Sequence, residues 1–178
     1  MASQLGSPFV IERLTQAHKL SDFQSTNDTL NTWLKRFAWT NQRAETAKTY
    51  VAHRAGVVVG YHALVAGSIV RDEAPERVAQ GLAKHPIGVI LLARLAVDAR
   101  EQGKGLGGAL LRDALARCAQ AGDVIGVRAV LVHAIDVRAR DFYLHHGFMP
   151  SPVDEMQLML LMKDLRASIG MTDSGVTT

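Results

Sequence analysis

Leu95-Ala96-Val97-Asp98-Ala99-Arg100-Glu101-Gln102-Gly103-Lys104-Gly105-Leu106-Gly107-Gly108 joins a nearly continuous apolar run to a stretch with helical periodicity. Glycines at a helix start let the main chain come close to a ligand and aim successive N–H groups at one point, where the helix dipole also favours negative charge. A phosphate or diphosphate is the natural occupant; the alternative is a glycine-rich turn with no ligand.

Upstream of this turn, Ile87–Val97 reads as a strand at the centre of a sheet covered on both faces. Downstream, Leu106, Leu110, Leu111, Leu115 and Cys118 recur at helical spacing, so residues 105–121 read as a helix. Further out, residues 9–11 open a short strand, and 28–43 read as one helix with Leu30, Trp33, Leu34, Phe37 and Trp39 on a common face and Asn27 or Asp28 as cap. Residues 49–51 and 57–65 form a hairpin around Arg54-Ala55-Gly56, and 72–86 is a loop with room for a short helix. Residues 128–135 read as a buried strand, 136–146 as a helix capped by Asp136 and ended by Gly147, and 156–162 as a last strand. The order β, α, β-hairpin, long β, turn, α, β, α, β predicts one α/β domain with a mixed sheet over residues 1–166, followed by a polar, disordered tail at 167–178.

Three phosphate-binding patterns compete for the glycine turn. Gly103-x-Gly105-x-x-Gly108 fits the dinucleotide fingerprint, but that pattern asks for an acidic residue about 20 positions on, where Arg128 closes the interval, and no second nucleotide-binding half follows. A P-loop asks for Ser or Thr after Gly-Lys, and Lys104 precedes Gly105. Arg100-Glu101-Gln102-Gly103-Lys104-Gly105 fits the third, Arg/Gln-x-x-Gly-x-Gly/Ala.

Composition narrows the field from another side. In 178 residues, 48% are hydrophobic, enough to bury a core, and only 6% are aromatic, too few for a broad stacking platform. Twenty Lys and Arg against 17 Asp and Glu give a net charge of +3, which steers anions only where it is clustered. The single cysteine, Cys118, excludes a disulfide framework and a cysteine-based zinc site. Residues 1–15 have neither the basic start nor the apolar run of a secretory signal, and Arg94 interrupts an apolar stretch about half the length that spans a bilayer, so a cytoplasmic protein without a membrane segment is expected. His53, His62 and His133 fall on separate strands, and adjacent His145 and His146 point about 100° apart on a helix, so no metal is expected.

On the third pattern, the sequence resembles the GNAT acetyltransferases, which hold the pyrophosphate of acetyl-CoA on this turn. Ala139-Arg140-Asp141-Phe142-Tyr143-Leu144-His145-His146-Gly147-Phe148 is similar to the family's second signature, with Asp136 where many members carry Asn. The resemblance implies a single-domain GNAT fold, its mixed and mostly antiparallel sheet flanked by helices. It implies acetyl-CoA as co-substrate, held by Leu95, Ala96, Val97, Arg100, Gln102, Gly103, Lys104, Gly105, Leu106, Gly107 and Gly108, and Tyr143 as general acid for the departing thiolate. In the family the strand before the turn splays from its neighbour and offers main-chain groups to the pantetheine arm. No carboxylate interrupts Ile87–Val97, and lack of a base favours an acceptor whose amine is already partly neutral, such as an α-amine with reference pKa near 8.

Phe23-Gln24-Ser25-Thr26-Asn27-Asp28-Thr29-Leu30-Asn31-Thr32-Trp33-Leu34, Asn41-Gln42, Thr49-Tyr50-Val51 and Ala93-Arg94-Leu95-Ala96-Val97-Asp98 resemble the GNAT toxins of bacterial toxin–antitoxin pairs, with Ser25-Thr26 in place of Cys/Ser-Gly and Lys48 in place of Arg. That likeness implies acetylation of the α-amino group of aminoacyl-tRNA, arrest of translation, a homodimer, and neutralisation by a ribbon-helix-helix antitoxin that also reaches operator DNA. Lys35, Arg36, Arg43, Lys48 and Arg94 are the candidates for contact with tRNA phosphates. Two alternatives stand beside this reading: an N-acetyltransferase for a small amine or protein N-terminus, and a non-catalytic acyl-CoA-binding regulatory partner in which Tyr143 is dispensable.

Overall fold

The computed structural model describes residues 8–170. In chain order the elements are β1 (Val10–Arg13), α1 (Asp28–Arg36), α2 (Ala38–Arg43), β2 (Lys48–Arg54), β3 (Val57–Ile69), α3 (Glu76–Ala79), β4 (Ile87–Val97), α4 (Leu106–Gly122), β5 (Ala129–His133), α5 (Val137–His145), β6 (Met149–Pro150), β7 (Gln157–Leu161) and α6 (Met162–Ser168). One seven-stranded sheet has the order β1-β2-β3-β4-β5-β7-β6. β4 pairs with β5 in parallel, and β1–β2, β2–β3, β5–β7 and β6–β7 are antiparallel. The fold is the expected α/β class with a mixed, mostly antiparallel sheet and flanking helices. Among the described residues no helix is long and apolar enough to cross a membrane.

Within this fold the described residues pack as two compact units, 8–65 with Ala93–Ala114 and Ala66–Leu92 with 115–170. In the first, Asn27 caps α1 by accepting the Leu30 N–H at 3.0 Å, and Trp33 and Leu34 enter a core with Leu14, Phe23, Val51, Val58 and Tyr61. The single helix expected over 28–43 is broken at Phe37, which ends α1 and starts α2. The break turns the apolar face, so Ala38 is fully buried while Phe37, expected inside, is 49% exposed. The hairpin between β2 and β3 turns on Ala55 and Gly56, both at positive φ as a tight two-residue connection requires. Gly60 of β3 lies so close to α4 that an added Cβ would stand 2.9 Å from a Leu110 methyl, 3.2 Å from a Leu106 methyl and 3.3 Å from the Ala96 carbonyl.

Asp98 fixes the end of β4 in this unit. It is fully buried, and its amide donates to the Val59 carbonyl at 2.8 Å. Oδ1 accepts the Arg100 N–H at 2.9 Å and Arg100 Nε at 2.8 Å, while Oδ2 accepts the Gln24 N–H at 3.1 Å and Arg100 Nη2 at 2.9 Å. Burial pushes this carboxyl toward neutrality, but the Arg100 guanidinium and the two amides outweigh it and hold its pKa below the usual value.

The second unit has its own core, built on Ile69, Val78, Ile87, Val89, Leu131, Met159 and Leu161. The registered pairing of β4 with β5 covers Val89 to Leu92 and stops there, five residues short of the end of β4. Asp136 caps α5 by accepting the Ala139 N–H at 2.7 Å, and Gly147 at φ 89° ends it. Cys118 is fully buried, as its place on the helix face predicted, and burial pushes its thiol up to about 12. Two elements escaped the sequence reading. β6 is two residues long, and α6 occupies ground assigned to the end of the domain and the start of the tail. α6 is ordered because Met162 and Leu165 are buried and Arg166 donates to the Ala119 carbonyl and pairs with Asp123 at 2.8 Å. The rest of the expected tail, 171–178, and the first part of the segment read for a secretory signal, 1–7, lie outside the described residues.

Two substitutions test this packing. Gly60→Val should lower unfolding free energy by about 1–3 kcal/mol, the cost of overpacking a close contact, and an unchanged urea midpoint would show that β3 and α4 have slack there. Asp98→Asn should cost about 1–3 kcal/mol at neutral pH by removing a charged acceptor from buried donors. Because the folded carboxyl is depressed, its stabilisation is complete above the unfolded value of 3.8 and is lost as pH falls through the lower folded value. Below pH 3.8 the wild type should therefore lose the advantage over Asp98→Asn that it holds at pH 7, as urea titrations at both pH values will read.

Candidate active site

Past Asp98 the chain makes a 3-10 turn at Ala99–Glu101 and enters the glycine segment. Gly103 and Gly105 sit at φ 76° and 82°, and neither has an atom within 4 Å of a Cβ position, so conformation rather than crowding demands glycine there. Gln102, Gly103, Lys104 and Gly105 are exposed. The first hydrogen bond into α4 runs from the Ala109 N–H to the Gly105 carbonyl at 3.1 Å. Ahead of it, the N–H groups of Leu106, Gly107 and Gly108 are those a helix start leaves without intrahelical acceptors. The Leu106 side chain itself is core, packed with Leu110, Ala52 and Val59.

The side chains around this turn are mostly committed. Arg100 places its guanidinium on Asp98 and donates to the Asp22 carbonyl at 3.3 Å. Glu101 accepts Arg54 Nε at 3.3 Å and Nη2 at 3.2 Å, with Lys104 Nζ at 4.0 Å. On β4, Ala96 is buried while Leu95 and Val97 pack beside Leu106 and Leu110. Residues 93–97 have no register with β5, so their main-chain groups on that edge are without a β5 partner.

The cation candidates separate into kinds. Lys35, Arg36 and Arg43 are exposed at the ends of α1 and α2. Lys48 is half-buried and paired with Glu45 at 2.8 Å, so it is already neutralised. Arg94 is half-buried, and its guanidinium stacks on the Trp33 indole 4.1 Å from the ring centroid. Among the described residues no carboxylate pairs with it. Burial pulls its pKa down from the ordinary arginine value. An aromatic face, rather than a carboxylate, thus accompanies this cation in its apolar strand. Trp33 also stacks on Tyr61, whose hydroxyl donates to the Leu30 carbonyl at 2.8 Å, and it borders a groove of about 300 Å³ lined by Asp28, Thr29, Thr32 and Phe37.

Tyr143 belongs to the second unit. It is 7% exposed on α5, edge-on to Phe142 and Phe148 at 5.2 and 5.4 Å, and its hydroxyl bonds to no other group among the described residues. Burial raises its pKa above the ordinary phenol value, so it is a protonated donor at neutral pH. His146 donates from Nδ1 to the Phe142 carbonyl at 2.8 Å and closes the helix end, and His145 is exposed.

One polar cluster gave no sequence signal, since its members are up to 41 residues apart. Glu12 Oε1 lies 2.9 Å from His18 Nε2 and 2.7 Å from His53 Nε2. The three groups are near enough to share a metal ion. In each ring, however, Nδ1 accepts a backbone N–H, from Thr15 at 2.9 Å and from Gly56 at 3.0 Å, which leaves the ring proton on Nε2. Both histidines therefore donate to one carboxylate oxygen, and neither offers it a lone pair for a metal.

A family match spans the turn and strand described above. Residues 45–150 match the family described as acetyltransferase (GNAT) domain. The chain is 48% identical over 158 residues to a tRNA-acetylating toxin of Mycobacterium tuberculosis, covering 89% of this chain and 95% of that one. The fold is similar to that of AtaT complexed with acetyl-methionyl-tRNAfMet, with a TM-score of 0.85 and 25% identity over 91% of this chain and 99% of the other. It is also similar to a chain of the AtaT–AtaR complex bound to DNA, with a TM-score of 0.74 and 25% identity over 90% and 99%. With its glycine turn, the family match over residues 45–150 and a relative 48% identical over 158 residues, the chain belongs to the GNAT acetyltransferase family.

Proposed function

We propose that this chain is a toxin-type N-acetyltransferase that moves the acetyl group of acetyl-CoA to the α-amino group of aminoacyl-tRNA in the cytoplasm and thereby blocks translation. The 48% identity to a tRNA-acetylating toxin over nearly the full length of both chains carries this reading. The AtaT complex with acetyl-methionyl-tRNAfMet supports the substrate class. The AtaT toxin bound to the C-terminus of the antitoxin AtaR and the AtaT–AtaR complex bound to DNA support an antitoxin as neutralising partner and, through it, operator DNA. A ribbon-helix-helix fold for that antitoxin and a homodimer belong to the same reading.

The N–H groups from Gly103 to Gly108 hold the diphosphate of acetyl-CoA, with Gln102 and Lys104 at the open side of the turn. Arg100 acts through the main chain, because Asp98 holds its guanidinium. Main-chain groups of Leu95, Ala96 and Val97 hold the pantetheine arm, and one N–H faces the thioester oxygen. The amine lone pair attacks the carbonyl carbon, the oxygen takes up negative charge against that N–H, and the C–S bond breaks as the carbonyl reforms. Tyr143 donates its O–H to the departing sulfur, and the proton shed by the acetylated nitrogen returns the phenol to its starting state. Asp98 cannot serve as base, since both its oxygens already accept bonds. An aminoacyl ester lowers its own amine's pKa and so has little need of one. Lys35, Arg36, Arg43 and Arg94 contact the tRNA backbone, while Lys48 has less to offer beside Glu45.

Labelled acetyl-CoA and total charged tRNA, followed by mass spectrometry of the aminoacyl adducts, should show acetyl on the α-nitrogen, and label absent from tRNA would sink the substrate class. Tyr143→Phe should lower kcat about 10²–10⁴-fold while leaving acetyl-CoA affinity unchanged by calorimetry; full activity in this variant would remove Tyr143 from the mechanism. Replacing Lys35, Arg36 and Arg43 together by Ala should raise KM for tRNA but not for acetyl-CoA, and flatten the salt dependence by about 0.7–0.9 log units for each phosphate that is no longer neutralised.

A further inference from the structure

Glu101 puts a carboxylate where the rest of the turn prepares for an anion. It stands two residues before Gly103, and its side chain is only 12% exposed. Little water reaches it to damp its field, so an uncompensated charge there would repel the diphosphate that the helix start attracts.

Compensation arrives from 47 residues away. Arg54, the last residue of β2, donates from Nε and Nη2 to the two separate oxygens of Glu101, a forked arrangement that suits a carboxylate. Its guanidinium also lies over the Phe9 ring, 5.7 Å from the centroid, which holds it at that post. Lys104 is the second cation within reach, 4.0 Å from the same carboxylate, and it is 58% exposed. Two cations thus compete for one anion, one of them held in place and the other facing solvent.

We infer that Arg54 is a positioning residue for acetyl-CoA: by occupying Glu101 it neutralises the carboxylate at the turn and leaves Lys104 available to the diphosphate. The inference rests on the reading of the glycine turn as the acetyl-CoA cradle. Arg54, Glu101 and Lys104 together carry one net positive charge at the turn. Without Arg54 the sum is zero, and Lys104 is drawn down onto Glu101.

Calorimetric titration of the full chain with acetyl-CoA, at low and high salt, tests this on Arg54→Gln, Glu101→Gln, the double variant and Arg54→Lys. Arg54→Gln should weaken binding about five- to tenfold, the effect of one unit charge a few ångströms away, and the loss should shrink with added salt. It should appear in KM for acetyl-CoA and not in kcat. Glu101→Gln should bind at least as tightly as wild type, and the double variant should recover wild-type affinity, because the carboxylate that needed Arg54 is gone. Arg54→Lys, which keeps the charge, should retain most of the affinity and carries the test if Arg54→Gln unfolds. A double variant as weak as Arg54→Gln, or a loss that ignores salt, would make the pair a structural tie and overturn the inference. A wild-type protein that takes up no acetyl-CoA would overturn the cradle reading itself, a result distinct from any difference among the variants.

Discussion

The buried carboxylate of Asp98 organises the first unit of this protein. A charged group with no access to water is tolerable only when donors surround it, and four N–H groups from Gln24 and Arg100 do so. Three chain segments meet on this one side chain: the end of β4, the turn that follows, and the stretch leading into α1. The result is a fixed post immediately before a segment in which Gly103 and Gly105 stand in open space at positive φ. That contrast suits a diphosphate cradle, where the donors must be aimed but the backbone must stay open to a large ligand.

What the sequence conveyed, and what it withheld, follows from the range of each interaction. The β4 apolar run, the helical spacing from Leu106 to Cys118, the capping by Asn27 and Asp136 and the exit at Gly147 are local, and each stood in the structure near its expected bounds. Phe37 was misread because helical periodicity assumes a straight axis; the kink sends the next turn to the core and leaves this ring outside. α6 was missed because only two of its side chains are buried, too few to make a periodic signal. The site residues were legible as main chain, through their glycines, and as one tyrosine in a motif. Their partners were not. The face that Arg94 lies on comes from α1, the cation on Glu101 comes from β2, and no spacing rule connects residues 47 or 61 positions apart.

Charge in this chain is distributed by placement rather than quantity. A net charge of +3 says little, but among the described residues the cations are placed in different ways. Lys48, Arg54 and Arg100 each face a carboxylate, while Lys35, Arg36 and Arg43 stand exposed on neighbouring helices and Arg94 rests on an indole. Stacking keeps a guanidinium oriented without cancelling its charge, which an ion pair would do. A family member that acts on a polyanion gains from such an arrangement: the cations that build the fold are used internally, and those left over retain their long-range attraction.

The sheet ends in β1, four residues long, on one side and in β6, two residues long and closed by Pro150, on the other. Strands this short offer almost no row of open amides and carbonyls to a foreign chain, and a proline removes one donor outright. A polypeptide that lays itself along this molecule cannot gain much by prolonging the sheet. The short edges thereby guard the protein against pairing edge to edge into aggregates.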